Sequence, residues 1–190
     1  MKKYAVFLIL FNSLIIYSQE KFEKEYRIKE DKVPKSAVEF ISSLDFQKKV
    51  KWFAEESNDG KTFEAKVVYN KHKCSIEFSE QGEFIDLEKE VKFNSIESKN
   101  SSTILKNLRK EFLKFRIKKV QLQYIGNESD VYKTLFQSTT SEEIVKPNYE
   151  IVIKAKKDKS YSLYEILFNS QGKIIKQLKF KPTSSLNLEF

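Results

Sequence analysis

The chain contains one short pattern twice, and this duplication constrains its fold more than any other feature. Residues 76–87 and 166–178 each have an apolar strand ending in Phe, a Gly four residues later and a second apolar strand. The matching residues are Phe78 and Phe168, Gln81 and Gln171, and Gly82 and Gly172. Such self-similarity indicates a fold built from two like units. None of the repeated side chains is a reactive group, so the duplication predicts an architecture and no activity.

Residues 1–18 predict an export signal, in which two lysines precede a mostly apolar stretch of 14 residues. This stretch is shorter than the roughly 20 apolar residues that span a bilayer, although a retained membrane anchor is the alternative. We expect cleavage near Ser18/Gln19 and a periplasmic or secreted mature protein without a transmembrane segment. The junction has no Cys, so the sequence does not indicate a lipoprotein.

Cysteine and histidine are too scarce for an internal disulfide or a typical His/Cys metal site. Cys74 is the only Cys and His72 is the only His. An exported chain with one Cys cannot form an internal disulfide. A metal site of the His/Cys kind has almost no ligands to draw on. We therefore predict no cofactor and no metal, and a fold stabilised by burial and hydrogen bonding.

Each half of the chain predicts one helix followed by four strands. Apolar stripes at helical spacing predict helices at roughly 35–47 and 102–115. Period-two alternation, broken by tight turns such as Asn58-Asp59-Gly60, predicts antiparallel strands. The second half also contains a polar insert at 126–148, in which residues 131–136 predict an extra strand or a short helix.

These elements predict an α+β fold with one roughly eight-stranded antiparallel sheet and helices on one face. The two halves would pair through their edge strands, because a lone half would leave a sheet edge open. The predicted segments are a signal peptide at 1–18, an N-terminal lead-in at 19–32, repeat 1 at 33–93, repeat 2 at 100–182 and a C-terminal tail at 183–190. The lead-in is interpreted as a flexible segment or a first short strand.

The tandem helix-plus-strands pattern resembles the PepSY-like family, which is also described as resembling the β-lactamase inhibitory protein fold. The residues that carry the resemblance are Val33-Pro34, Trp52, Phe63, Phe78-x-x-x-Gly82, the 102–115 helix, Tyr149 and Phe168-x-x-x-Gly172. Ser79 and Asn169 stand where the family often has Asp, and both can make the same kind of turn. The resemblance implies a non-catalytic protein outside the cytoplasm that binds or inhibits another protein.

The residues offer little support for an enzyme. A catalytic thiol needs a base or an electropositive pocket beside it. The candidate base for Cys74 is His72, which lies two residues away on the same face of a strand. Cys74 also continues the apolar set of Ile76 and Phe78, which favours a buried structural thiol. We therefore predict that the protein is not an enzyme.

Paired carboxylates are the other candidates for acid–base chemistry. They occur at Glu55-Glu56, Glu88/Glu90 and Glu142-Glu143. Catalysis would need one member of a pair in a pocket that shifts its pKa. Because these pairs lie in turn, insert or strand contexts near lysines, we interpret them as solvated surface charge.

The sheet face without helices is the predicted binding surface. If Ile166 and Phe168 point towards the helices, alternate residues point away from them. The candidate partner-binding residues on that face are Phe53, Val152, Tyr161, Leu163 and Leu167. An exposed apolar patch of this kind marks an interaction surface, unless the insert folds over it. The leading hypothesis is therefore an exported binding protein, a protein inhibitor or envelope interaction module, whose partner is an unidentified envelope or extracellular protein.

A basic patch supports an alternative function. It comprises Lys106, Arg109, Lys110, Lys114 and Arg116, on the second helix and its exit. In a chain of net charge +8, such a patch either steers an acidic partner or anionic lipid, or is simply the solvated back of a helix. The alternative is thus an envelope-structural protein associated with anionic lipid or polymer. Nucleic acid is not expected, because no reader motif is present.

Overall fold

The computed structural model describes residues 19–44, 46, 49–136, 145–157 and 160–181. The predicted export signal at 1–18, the tail at 183–190 and the middle of the insert, 137–144, lie outside these residues. No helix in the described ranges is long and apolar enough to cross a membrane.

The described chain forms one ten-stranded sheet and three helices. The strands are β1 (Gln19–Lys21), β2 (Glu23–Ile28), β3 (Lys51–Ser57), β4 (Gly60–Tyr69), β5 (His72–Ser79), β6 (Phe84–Glu90), β7 (Lys114–Ile125), β8 (Asn148–Lys156), β9 (Tyr161–Phe168) and β10 (Ile174–Phe180). The helices are α1 (Lys35–Ser43), α2 (Ser98–Glu111) and α3 (Glu128–Phe136). Across the sheet the order is β1-β10-β9-β8-β7-β6-β5-β4-β3-β2. The halves of the chain meet where β6 pairs antiparallel with β7.

The N-terminal segment joins the two edges of the sheet. β1 pairs in parallel with β10, where Gln19 lies opposite Leu178. A single residue separates β1 from β2, which pairs antiparallel with β3, where Glu23 lies opposite Ser57. Because β1 and β2 follow each other along one stretch of chain, the sheet curls into a nearly closed barrel. β1 and β2 remain the two ends of the strand order, so each still has one edge without a strand partner among the described residues.

The predicted α+β fold is therefore wrong. The sequence predicts about eight strands in an open sheet with helices on one face, whereas the structure is mostly sheet and nearly closed. The error originates in residues 19–32, which contain β1 and β2. Lys21, Glu23 and Glu25 point to the inside of the barrel and form ion pairs there. A buried face made of charges hides the apolar alternation by which strands are recognised.

The apolar core lies on the outer face of the sheet in two clusters. In the first, Ala37 and Ile41 of α1 pack against the sheet, and Phe78 is completely buried. In the second, Ile104 and Leu108 of α2 pack against the corresponding strands of the other half. Both helices therefore present an apolar stripe at i, i+4 spacing to the outside of the barrel.

Helix α2 begins four residues before its predicted start and ends before Phe112. Its first turn, which includes Ser98 and Asn100, is polar and carries no apolar stripe, so periodicity could not detect it. Phe112 leaves the helix and packs against Tyr164, with 4.9 Å between ring centroids. Lys114 and Arg116, predicted near the end of the helix, belong to β7.

The duplicated hairpin turns dock onto the helices. Ser79 and Asn169 accept equivalent backbone hydrogen bonds, which confirms that either residue can make this turn. Three residues later in the same turns, Gly82 and Gly172 have φ of +83° and +77°. The Ser36 hydroxyl donates to the Gly82 carbonyl at 3.0 Å, and the turn therefore holds the start of α1.

Gly82→Ala is expected to lower the free energy of unfolding by about 2 kcal/mol, because it adds backbone strain and overpacks a buried contact. A Cβ at this position would lie 2.6 Å from the Cβ of Pro34. Gly60→Ala is the matched control, since Gly60 also has positive φ but has no heavy atom within 4 Å of the added carbon. Urea unfolding followed by Trp52 fluorescence measures both variants. Equal losses in the two would contradict the docking of this turn on α1.

Candidate functional site in the acidic interior

The inner face of the barrel lines one cavity of about 430 Å³. All ten strands contribute side chains to it, because alternate residues of each strand point inward. Ten of the described lining residues are acidic and four are lysines. This cavity, the acidic interior, is lined by Glu55, Glu64, Glu77, Asp86, Glu88 and Glu150. An acidic cavity thus lies inside a protein whose net charge is +8.

Two lysines, the partly buried Lys21 and the buried Lys66, neutralise part of this negative charge. Lys21 Nζ lies 2.7 Å from a carboxylate oxygen of Glu165 and 2.5 Å from one of Glu23. Burial opposes the charged form of Lys21, but Glu165 and Glu23 outweigh it and raise its pKa well above the usual value. Lys66 Nζ lies 2.7 Å from Glu25 and is almost inaccessible to solvent. These ion pairs connect the N-terminal segment to β9 and β4, so they also hold the barrel closed.

Five further carboxyl groups make no ion pair in the described part of the chain. They are Glu55, Glu77, Asp86, Glu88 and Glu150. Burial is the largest cause that raises the pKa of each of them, and neighbouring carboxylates raise it further. The pKa of Glu55 is raised to about 8. Glu55 therefore keeps its proton near neutral pH, and a cation that entered would favour the release of that proton.

Neutral polar groups complete the wall of the cavity. The side-chain amide of Gln123 donates to Asp86 at 2.8 Å, and that of Gln121 donates to Glu88. Ser75 also lines the cavity and is only 3% exposed, and its hydroxyl makes no hydrogen bond within the described residues. Buried hydroxyls nearly always have a partner, so Ser75 has hydrogen-bonding capacity available to an occupant of the cavity.

The five predicted partner-binding residues share the inner face of the sheet but do not form one apolar patch. Val152 and Leu167 line the cavity. Phe53 is half-buried, with Lys66 Nζ 4.8 Å from its ring centroid. Tyr161 is 53% exposed and Leu163 is half-buried, both further along the same face of β9. Carboxylates occupy much of the face between them, and the role of the five residues in binding stays a prediction.

The acidic interior is not predicted from the sequence. The interpretation of Glu55 and Glu88 as solvated surface charge is wrong, since each lines the cavity. The available signal was the pairing of charged residues two positions apart in strands, as in Glu64-x-Lys66 and Asp86-x-Glu88. Residues so spaced share one sheet face, which lies opposite the apolar set. The pair Glu142-Glu143 lies outside the described residues.

The five residues of the predicted basic patch are all exposed. Lys106, Arg109 and Lys110 lie on α2, whereas Lys114 and Arg116 lie on β7. Leu113 lies between these two groups and is 72% exposed. An apolar side chain thus protrudes from a basic surface.

Cys74 and His72 do not form a catalytic pair. Cys74 lies in the first apolar cluster, and burial raises the pKa of its thiol to about 11. His72 instead places Nδ1 3.0 Å from the backbone carbonyl oxygen of Glu90. Among the described residues, no three His, Cys, Asp or Glu side chains are grouped so that they could hold a metal ion.

Comparison with solved structures supports the fold alone. No family model matches the chain, and no curated protein matches its sequence. A DUF2874 family protein from Bacteroides ovatus ATCC 8483 aligns at 13% identity and a TM-score of 0.53, covering 83% of this chain and 94% of that one. A protein from Bacteroides eggerthii DSM 20697, described among "putative periplasmic proteins", aligns at 13% identity and a TM-score of 0.54, covering 82% and 94% of the two chains.

A BLIP-like protein from Bacteroides fragilis NCTC 9343 aligns less well, at 10% identity and a TM-score of 0.49, covering 83% of this chain and 92% of that one. A value below one half does not support an argument about the fold. The chain therefore shares its fold with a DUF2874 family protein, and its membership of the PepSY-like family stays a prediction.

Proposed function

We propose that this chain is an exported, non-catalytic binding protein whose site is the acidic interior and the adjoining face of β9. The observation that supports this most strongly is the convergence of all ten strands on one cavity, in which five carboxyl groups have no ion-pair partner among the residues that the structure describes. Pre-formed cavities of several hundred Å³ with a few convergent polar groups are where proteins bind ligands. In its specific form, the proposal is that the site engages, and can inhibit, an envelope or extracellular protein.

The size of the cavity limits how a protein partner would bind. About 430 Å³ admits a side chain or a short stretch of chain, and not a folded domain. The partner would therefore insert a projecting group into the acidic interior. Tyr161 and Leu163, on the same face of β9 but outside the cavity, would contact the surface around that group. Aromatic residues are common anchors in such contacts.

Photo-crosslinking from the face of β9 tests this proposal. A photoreactive amino acid at Leu163 is expected to give a discrete crosslinked product when the protein is exported to the periplasm and irradiated. The same substitution at Ile175 is the control, because Ile175 is 52% exposed and lies on β10. Absence of a product at Leu163, or the same product from both positions, would reject binding through this face.

The exposed Leu113 favours a second candidate function, in which the basic surface associates with anionic lipid. Basic residues attract anionic headgroups, and an apolar side chain among them can enter the interface. Here Lys110 and Lys114 flank an exposed leucine.

The lipid interaction predicts co-sedimentation with vesicles that contain phosphatidylglycerol, and not with vesicles of neutral lipid. Salt should weaken this co-sedimentation because exposed charges are screened. Leu113→Ser should also reduce the co-sedimentation, whereas Leu163→Ser leaves it unchanged. Co-sedimentation that depends on neither the salt concentration nor the lipid charge would exclude this role.

A further inference from the structure

We propose that the acidic interior binds an alkylammonium chain, a molecule or segment in which two or more protonated amines are separated by short methylene spacers. A free oligoamine and the lysine side chains of a peptide both have this chemistry. The proposal rests on the proposed function and names the class of ligand that the site takes.

Five carboxyl groups in the cavity form no ion pair within the described residues, although Lys119 also lines the cavity and opposes the raised pKa of Glu88 and Glu150. Lys21 and Lys66 already pair with Glu165, Glu23, Glu25 and Glu64. The five remaining carboxyl groups lie on β3, β5, β6 and β8, so they are spread over most of the interior. A ligand that carries several positive charges would satisfy more than one of them at once.

The carboxylates are spaced for a chain of amines rather than for one compact ion. Glu64, Glu77 and Asp86 lie directly opposite one another on β4, β5 and β6. Adjacent strands are about 4.8 Å apart, which is close to the separation of amines joined by three or four methylenes. In the described ranges no three carboxylates converge closely enough to enclose a metal ion.

The Ser75 hydroxyl is a second, independent observation that indicates a ligand in the cavity. It lies in the row between Lys66 and Glu88, lines the cavity, and is buried without a hydrogen-bond partner in the described chain. An ammonium group has three N–H donors and no acceptor. One of these donors can reach the serine oxygen while the others bond to carboxylates.

The remaining wall of the cavity is suited to methylene groups. Val152, Leu167, Leu178 and Phe180 on β8, β9 and β10 also line the cavity, where they lie beside Glu150 and Glu165. This wall therefore has apolar side chains and carboxylates next to one another. An oligoamine has the same two properties, charged nitrogens and apolar spacers.

Isothermal titration calorimetry of the purified chain at low salt tests the proposal with three probes: spermidine, a tri-lysine peptide and Ca²⁺. We expect saturable one-to-one binding of spermidine, of tri-lysine or of both. The double variant Glu77→Gln/Asp86→Asn should weaken binding about ten-fold, because each lost charge-assisted hydrogen bond is a strong one. Ser75→Ala should weaken it by a smaller factor. The control, Glu39→Gln, changes an exposed carboxylate on α1 and should have no effect.

Each outcome of this titration decides the proposal. Binding of spermidine alone identifies a free oligoamine, and binding of tri-lysine alone identifies a lysine-bearing partner. No heat from either probe, equal affinity in the double variant, or displacement of the amine by equimolar Ca²⁺ would overturn the inference. The double variant replaces carboxylates by amides of the same shape, and its circular dichroism spectrum shows whether it is folded. Crosslinking at Leu163 without amine binding would leave the proposed function standing and reject only this ligand.

Discussion

Lys66→Met is expected to lower the free energy of unfolding by about 3–5 kcal/mol near neutral pH, the usual cost of breaking a buried ion pair. Lys66 Nζ lies 2.7 Å from Glu25 and 3.1 Å from Glu64, and the residue is 7% exposed. Removal of its charge leaves two buried carboxylates uncompensated beside other carboxyl groups. Urea unfolding followed by the fluorescence of Trp52, the only tryptophan, measures the loss.

Two further variants separate this charge effect from a general loss of packing. Glu25→Gln in the Lys66→Met background should restore part of the stability, because it removes one of the unpaired charges. Lys35→Met breaks the Lys35–Glu39 pair, whose side chains are 90% and 65% exposed, and should cost less than about 0.5 kcal/mol. If Lys66→Met were no more damaging than Lys35→Met, the acidic interior would not be a buried environment.

The free energy of unfolding is expected to fall as the pH rises from about 5 to about 8. The pKa of Glu55 in the folded protein is about 8, against an ordinary value of 4.5. Between these values the unfolded chain releases a proton that the folded chain keeps, so stability decreases with pH. Burial is the main cause; Glu23, Glu77 and Glu64 face Glu55 and raise its pKa further, and Lys21 opposes them.

The other four unpaired carboxyl groups act in the same direction, because each pKa is raised. The raised pKa values of Lys21 and Lys66 do not reverse this trend. Their contribution is fully present below the ordinary lysine value and is lost only above it, outside this pH range.

Glu55→Gln should reduce this pH dependence. We expect it to stabilise the protein at about pH 8.5, on the order of 2 kcal/mol, and to have little effect near about pH 3.5, where the carboxyl is mostly protonated in both states. Glu39→Gln, at an exposed position, is the control. Urea unfolding at a series of pH values measures all three proteins. A stability that rises with pH over this range in the wild type would show that these carboxyl groups are solvated.

Local sequence patterns are sufficient to predict the two duplicated hairpins. Phe78-x-x-x-Gly82 and Phe168-x-x-x-Gly172 both end a strand, make a turn with positive φ at Gly, and start the next strand. These features depend on residues close together in the chain. Alternation and turn chemistry therefore identify them directly.

The closure of the barrel and the acidic interior could not be predicted in the same way. Closure depends on contacts between Gln19–Lys21 and Leu178–Phe180, at opposite ends of the chain, which leave no local signature. The interior is buried yet charged, whereas the rule applied to strands takes the apolar face as the buried one. The predicted binding residues are consequently apolar side chains such as Leu163, and Glu55 and Glu88 are predicted to lie on the surface.

The N-terminal segment contributes both edge strands of the sheet, and the acidic interior depends on this arrangement. Nuclear Overhauser contacts in isotopically labelled protein test the arrangement directly. We expect contacts that link Gln19–Lys21 to Leu178–Phe180 in a parallel pattern, together with antiparallel contacts between β2 and β3. An N-terminal segment that shows no contacts to β10, while the amides of β10 exchange freely with solvent, would contradict the closed interior.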